Sequence, residues 1–317
     1  MDGREAEASE SIRLAIETGQ ENLLGFCLIC LANLDAVRGR EPDCKAHAGR
    51  THEIAGRLGI DSLITYADAV QGLLELGLGR PAEAVRALEN VDRRVRRHGL
   101  AEPGVILWRS DLIEAYTQVG RTNEAREALA TFEHEAQTTG RTWALACTAR
   151  CRGLLADDES FEREFANAFE WHDRTPTPFE RARTELRLGE RRRRARRLAD
   201  AREPLRSALE TFDRLGADPW AEHASAELRA TGEAVARRAT PASLKLTPQE
   251  LEVALAVSKG ATNREAAAAL FVTPKTIEFH LHNVYRKLGL RSRAQLAWVF
   301  ALDGMPDAQL DTVPVAT

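Results

Sequence analysis

The 317-residue sequence contains little cysteine, little lysine and no long apolar run. Five cysteines are too few for a disulfide framework in a chain of this length. No run of 18 apolar residues and no signal peptide occur, so we predict no membrane partner and a cytoplasmic location. Arginines outnumber lysines 39 to 5, and four of the five lysines lie between residues 245 and 287, which sets this region apart.

Motifs of catalysis, nucleotide binding and metal binding are also missing. No GxxxxGK[ST] loop occurs anywhere in the chain. Cys27 with Cys30, and Cys147 with Cys151, are two pairs at helical spacing, but one zinc site would need both brought together from distant segments. We therefore predict reduced thiols in helix cores, with zinc as the weaker alternative, and a protein that is not an enzyme and uses no cofactor.

The first 240 residues have the composition of a helical protein. Alanine, leucine, arginine and glutamate dominate, prolines are few, and no alternating β-branched run appears, which predicts an all-α body. Gly39-Arg40, Gly79-Arg80 and Gly120-Arg121 recur at spacings of 40 and 41 residues, each ahead of a new helical pattern. Weaker repeats lie at residues 157–158 and 195–201. We predict roughly five helix pairs, and the alternative is an irregular helical bundle without a groove.

These repeats resemble tetratricopeptide repeats. In segments 77–88 and 112–129 a glycine ends one helix, and Ala84 or Ala125 allows the next helix to approach closely. The resemblance implies a superhelix whose concave surface binds an unknown protein segment or small-molecule effector. The arginine run at residues 191–197 has two interpretations, a nucleic-acid or effector patch or a solvated helix that pairs with acids, and the second is favoured.

Residues 246–302 carry the start and stop signals of four short helices. Thr247 with Glu250 predicts a capping box at the start of the first helix, and Thr262 or Asn263 caps the second. Thr273 then caps the third helix. The predicted limits are 247–260, 264–270, 274–288 and 292–302.

The third helix has two opposite faces. At 100° per residue its buried face consists of Ile277, Leu281, Val284 and Leu288. The outward face consists of Lys275, Phe279, His282 and Arg286, with Glu278 on its flank. Cations, a histidine and an aromatic ring on the exposed side of a helix that follows a tight turn predict contact with the DNA major groove.

The same segment resembles the helix-turn-helix of LuxR-type bacterial transcription regulators. The residues that match the family pattern are Leu246, Thr247, Val253, Gly260, Asn263, Glu265, Ala267, Leu270, Thr276, His280, Asn283, Lys287, Leu288, Ser292 and Arg293. The resemblance implies a four-helix domain in which the third helix reads the groove and the fourth forms the dimer contact. Glu278 departs from the pattern, because the family often has a basic residue at that position.

Site residues follow from the resemblance. The implied phosphate contacts are Thr276, Lys287, Arg291 and Arg293. The implied dimer contacts are Leu296, Val299 and Phe300. Residues 205–233 also resemble the last repeat pair of the large ATP-binding, MalT-like LuxR regulators. Those proteins carry a nucleotide-binding domain that this sequence lacks, so we expect either a shortened relative or the C-terminal part of a longer protein.

Charge separates the two parts of the chain. Residues 243–300 hold eight basic and four acidic residues, a net +4, whereas residues 1–242 carry −5 and residues 301–317 carry −3. Only the C-terminal segment has the sign that phosphate contact needs. We predict a repeat domain at 1–240, a DNA-binding domain at 241–305 and a flexible tail at 306–317.

The predicted function is transcription regulation by a homodimer bound to a nearly palindromic double-stranded DNA site. The repeat body would sense an effector or partner, and the bound protein would act on the transcription machinery. The alternative is an interaction scaffold whose helix-turn-helix serves as a protein-docking unit.

Overall fold

A computed structural model describes residues 2–99, 107–234, 246–270, 272–288, 290, 292–293 and 295–296. The chain divides into two compact units, Met1–Val235 and Ala236–Thr317. Within the described ranges the structure has fifteen α-helices and no β-strand, which confirms the predicted all-α fold class. No helix in these ranges is long and apolar enough to cross a membrane.

Twelve helices make up the first unit and three lie in the second. The first unit contains α1 (Asp2–Glu17), α2 (Glu21–Arg38), α3 (Glu41–Leu58), α4 (Asp61–Gly77), α5 (Pro81–His98), α6 (Arg109–Gln118), α7 (Thr122–Thr139), α8 (Thr142–Leu155), α9 (Phe161–His172), α10 (Pro178–Arg194), α11 (Leu198–Leu215) and α12 (Asp218–Ala230). The second contains α13 (Pro248–Ser258), α14 (Asn263–Ala269) and α15 (Pro274–Leu288).

Glycines with positive φ end many of the helices in the first unit. Each of the three Gly-Arg pairs lies in the turn between the two helices of one pair, as predicted. The structure also shows a shorter period of about 20 residues, because further glycines end the alternate helices. The glycines of this series are Gly19, Gly39, Gly59, Gly79, Gly99, Gly120 and Gly140. Glycine suits these positions because a left-handed backbone costs it nothing.

The helices pack as five pairs, namely α2 with α3, α4 with α5, α6 with α7, α8 with α9, and α10 with α11. This confirms the predicted tetratricopeptide-like repeat. The first helices of the pairs contact one another in chain order, from α2 through α4, α6, α8 and α10 to α12. Helix α12 in turn contacts α2. The inner helices therefore close into a ring, which the sequence did not predict.

Helix α12 closes this ring through two bulky residues. A β-carbon on Gly39 would collide with the ring of Pro219, and one on Gly77 would lie 2.9 Å from Nε1 of Trp220. Trp220 is 1% exposed and packs against Phe179 and Phe212. Gly39 and Gly77 therefore leave the space that the Pro219-Trp220 pair fills.

A network of buried charges joins α6 and α10. Arg183 on α10 pairs with Asp111 at 2.7 Å and Glu114 at 3.0 Å, both on α6, although α8 stands between these two helices. Arg187 joins Glu114 to Glu190, at 2.5 Å from each. These side chains are at most 6% exposed. Between α6 and α10 the space is thus occupied by the protein's own side chains, so this part of the inner surface is not open.

The ionisation of these groups follows from their neighbours. Burial alone would raise the pKa of Glu114, but Arg183 and Arg187 outweigh it and lower the pKa to about 2. For Asp111 burial prevails over the nearby Arg183, and the pKa rises to about 6. Buried ions of this kind are tolerated only when every charge has a partner.

The arginine run at residues 191–197 belongs to the same type of packing. Arg192 pairs with Glu162 at 2.9 Å, Arg193 with Glu227 at 2.5 Å, and Arg197 with Glu162 at 2.7 Å. The run therefore ties α10 and its following turn to α9 and α12. This supports the interpretation in which the arginines pair with acids.

The cysteines are free thiols. Cys27, Cys44, Cys147 and Cys151 are buried, and Cys30 is exposed. Burial raises the pKa of Cys151 to about 12, which leaves it protonated and unreactive. In the described part of the chain no cysteine belongs to a cluster with metal-ligand spacing.

Candidate nucleic-acid interface

The second unit is built from helices with strong start signals. The Thr247 amide donates to Oε2 of Glu250 at 2.8 Å, and the Glu250 amide donates to Oγ1 of Thr247 at 3.4 Å. Thr262 and Glu265 form the same reciprocal pair at the start of α14. Both capping boxes satisfy amides that the helix itself cannot, so the predicted cap of the first helix is confirmed and Thr262 caps the second.

Helix α15 begins with a third cap. The Thr276 amide donates to Oγ1 of Thr273 at 3.2 Å, and the two threonine hydroxyls are 2.9 Å apart. The helix then runs from Pro274 to Leu288, the limits that the sequence predicts. The cap fixes the turn from which the helix emerges.

One face of α15 is buried in the core of the unit. Ile277 and Val284 are fully buried and Leu281 is 6% exposed, as predicted, whereas Leu288 is partly buried. They share a core with Val253, Ala254 and Val257 of α13 and Ala266 and Ala267 of α14. This packing fixes the rotation of α15 and determines which side chains point outward.

The opposite face is exposed. Lys275, Phe279, His282 and Arg286 are all exposed, and Phe279 reaches 64%. The rings of Phe279 and His280 form a T-shaped pair with centroids 5.6 Å apart, and Nη2 of Arg286 donates to Oδ1 of Asn283 at 3.0 Å. Glu278 is exposed beside them. The outward face of α15 therefore presents cationic hydrogen-bond donors, one carboxylate and one apolar ring to a binding partner.

Two cations implied as phosphate contacts have partners inside the unit. Nζ of Lys287 lies 2.6 Å from Oε2 of Glu250. Arg293 donates to the carbonyl of Ala261 and lies 3.5 Å from that of Val257. The hydrogen bond with Lys287 and that with the Thr247 amide lower the pKa of Glu250 to about 2. Sequence reasoning missed these roles, because the partners are 37 and 32 residues apart and no periodicity connects them.

The residues implied as dimer contacts divide into two groups. Leu296 is fully buried in the core that α13, α14 and α15 share, so its side chain is not available to a second copy, which corrects the expectation for this residue. The amide of Leu296 donates to the carbonyl of Ser292 at 3.2 Å, as at the start of the predicted fourth helix. Val299 and Phe300 lie outside the described residues, as does Arg291, which the resemblance implies as a phosphate contact.

One group elsewhere has the composition of a metal site. Ligand atoms of Glu190, His223 and Glu227 lie within 4.8 Å of one another between α10 and α12. Arg187 already binds Glu190 and Arg193 binds Glu227, at 2.5 Å each. A cation would have to displace both arginines, so the group is better explained as part of the ion-pair network.

Comparison with known proteins supports the assignment of the C-terminal unit. Residues 244–300 match the family of bacterial regulatory proteins named the luxR family. The HTH-type transcriptional regulator Mb0914c of Mycobacterium bovis is 42% identical over 113 residues, which cover 32% of this chain and 12% of that relative. The chain therefore matches only a small part of a much longer protein.

Shorter matches fall on other regulators. The transcriptional regulatory protein LiaR of Bacillus subtilis is 40% identical over 52 residues, 16% of this chain and 25% of LiaR. The oxygen regulatory protein NreC of Staphylococcus aureus is 43% identical over 51 residues, 16% of this chain and 24% of NreC. No solved structure matches the chain. These likenesses identify a LuxR-type helix-turn-helix domain at residues 244–300.

Proposed function

We propose that this protein is a DNA-binding transcription regulator in which α15 lies in the major groove and reads base sequence. The observation that supports this most directly is the outward face of α15, where Lys275, Phe279, His282 and Arg286 are exposed while the opposite face is locked in the core. A helix that presents donors and an apolar group on one rigid face suits the pattern of groups on base edges.

The phosphate contacts come from the ends of α15. Lys275 and Arg286 supply exposed cations, and the hydrogen-bonded hydroxyl pair of Thr273 and Thr276 keeps one hydrogen for a phosphate oxygen at the N-terminus. Arg291 is a further phosphate contact, as the family resemblance implies. We leave out Lys287 and Arg293, because contact with phosphate would break the hydrogen bonds that they make inside the unit.

The protein acts as a homodimer on a nearly palindromic double-stranded site, with one α15 for each half-site. Of the three dimer contacts that the resemblance implies, Val299 and Phe300 remain, because Leu296 is buried. The C-terminal part, 241–305, binds DNA, residues 1–240 receive a protein or small-molecule signal, and 306–317 form a tail. The regulator works in the cytoplasm together with the transcription machinery.

The proposal is tested by selecting bound sequences from a random DNA library with the full chain and footprinting the preferred site. Binding should weaken steeply with salt, and Lys275→Ala and Arg286→Ala should each reduce the slope of log K against log salt by about 1. Arg126→Ala, which removes an exposed cation on α7, is the matched control. Binding without salt dependence, or a slope that both α15 variants leave unchanged, would contradict the proposal.

A second candidate function is protein docking by the same face. The exposed ring of Phe279 beside the carboxylate of Glu278 is the observation that favours it, because an apolar residue with an acidic neighbour also suits a protein interface. Tight binding of a protein partner, together with no preferred DNA sequence in the selection, would establish this alternative.

A further inference from the structure

Glu278 is chemically unlike the rest of the outward face of α15. Its carboxylate is exposed, and it has no ion-pair or hydrogen-bond partner within the described part of the chain. A carboxylate can only accept hydrogen bonds, and phosphate oxygens repel it. On a helix that enters DNA, Glu278 is therefore favourable only opposite a base that presents a donor.

The major groove offers such a donor on two bases. Cytosine presents its N4 amino group, whereas adenine presents its N6 amino group beside the acceptor N7. A carboxylate placed at adenine would meet the lone pair of N7 with its second oxygen. Cytosine imposes no such repulsion, so it is the base that Glu278 fits.

The bases that Phe279 can contact favourably are limited for a different reason. Its ring is 64% exposed and can form no hydrogen bond with a base edge. The only apolar group in the major groove is the C5 methyl of thymine. Contact with that methyl removes both apolar surfaces from water, which no other base allows.

We propose that Glu278 and Phe279 select a cytosine and a thymine at two different positions of each half-site. Consecutive residues on a helix are separated by only 1.5 Å along its axis but by 100° around it, so the two side chains enter the same groove and point to different bases. This inference rests on the proposed function, because it assigns bases to a helix that already reads DNA.

The cytosine is tested by repeating the DNA selection with Glu278→Gln and Glu278→Arg in the full chain. The wild type should favour cytosine at one position by about fivefold. Glutamine should change that preference to adenine and arginine should change it to guanine, because these are the bases whose paired groups they match. Glu252→Gln, an exposed carboxylate on α13, is the matched control and should keep cytosine.

The thymine is tested by replacing it with uracil, which lacks the methyl group. Wild-type affinity should fall by about fourfold, and Phe279→Ala should bind both duplexes equally. If the protein shows salt-dependent, sequence-preferring binding but the Glu278 variants keep cytosine, or Phe279→Ala still discriminates against uracil, this inference is wrong and the proposed function stands. If the wild type has no sequence preference, both are wrong.

Discussion

Lys287 at the end of α15 is bound to Glu250 in the first turn of α13, with Nζ 2.6 Å from Oε2. The same carboxylate caps the Thr247 amide. One side chain thus anchors the start of the first helix and the end of the third, so the orientation of the outward face of α15 depends on it.

Replacing Glu250 should loosen the C-terminal unit. Glu250→Gln loses the ion pair and weakens the capping box, and we expect a destabilisation of about 1–2 kcal/mol. Hydrogen exchange of the full chain measures this loss of stability. Amides in α13 and α15 should exchange faster than in the wild type, and amides in α2–α12 should exchange at the same rate. Glu252→Gln should exchange like the wild type, and equal exchange for both variants would contradict the anchoring role.

Arg293 should stabilise the unit without contacting phosphate. Arg293→Ala removes the donor to the Ala261 carbonyl, so exchange in the turn before α14 should accelerate. The slope of log K against log salt should stay at its wild-type value, whereas Arg286→Ala should lower it by about 1. If Arg293→Ala lowers the slope as much as Arg286→Ala does, Arg293 contacts phosphate and this prediction is wrong.

Loss of Glu114 should strongly destabilise the repeat body. Glu114→Gln leaves the buried Arg183 and Arg187 without their shared carboxylate, which costs about 3 kcal/mol. Urea unfolding followed by tryptophan fluorescence measures it, since Trp220 lies beside Arg183. Glu222→Gln on the surface of α12 should unfold like the wild type, and a similar midpoint for Glu114→Gln would show that the network contributes little.

Glu190 should contribute to the pH dependence of stability. Burial alone would raise the pKa of Glu190, but Arg187 and His223 lower it to about 2, below the ordinary 4.5. Its contribution to the free energy of unfolding is therefore complete above pH 4.5 and is lost as the pH falls towards 2. Glu190→Gln should be less stable at pH 7 and lose less stability between pH 4.5 and 3. A parallel decline in both proteins would refute this assignment.

Closure of the inner ring should depend on the glycine beside Trp220. Gly77→Ala places a β-carbon 2.9 Å from Nε1 of Trp220, and we expect a loss of about 1–3 kcal/mol. Gly49→Ala is the matched control, because Gly49 lies within α3 with open space around it. Alanine there should stabilise by about 0.5–1 kcal/mol. Urea unfolding should move the two midpoints in opposite directions, and shifts in the same direction would contradict ring closure.

Local signals in the sequence located most of the helices. The Gly-Arg pairs marked three turns correctly, and the threonine caps placed α13, α14 and α15 to within two residues, because caps and glycine turns depend on neighbours only a few residues away. The 20-residue glycine period was also present in the sequence. The Gly-Arg pairs reveal only the 40-residue repeat, because Gly19, Gly59 and Gly99 are not followed by arginine.

The sequence alone determined an all-α chain, its repeat, and the two faces of α15, since each follows from spacing along a single helix. Only the tertiary structure decided that α12 returns to α2 and that Arg183 on α10 reaches past α8 to Asp111 and Glu114 on α6. It also decided that Lys287 pairs with Glu250 and that Leu296 is buried in the core. These contacts join residues about 30 to 200 positions apart, and such pairings depend on how whole helices pack, which no local pattern encodes.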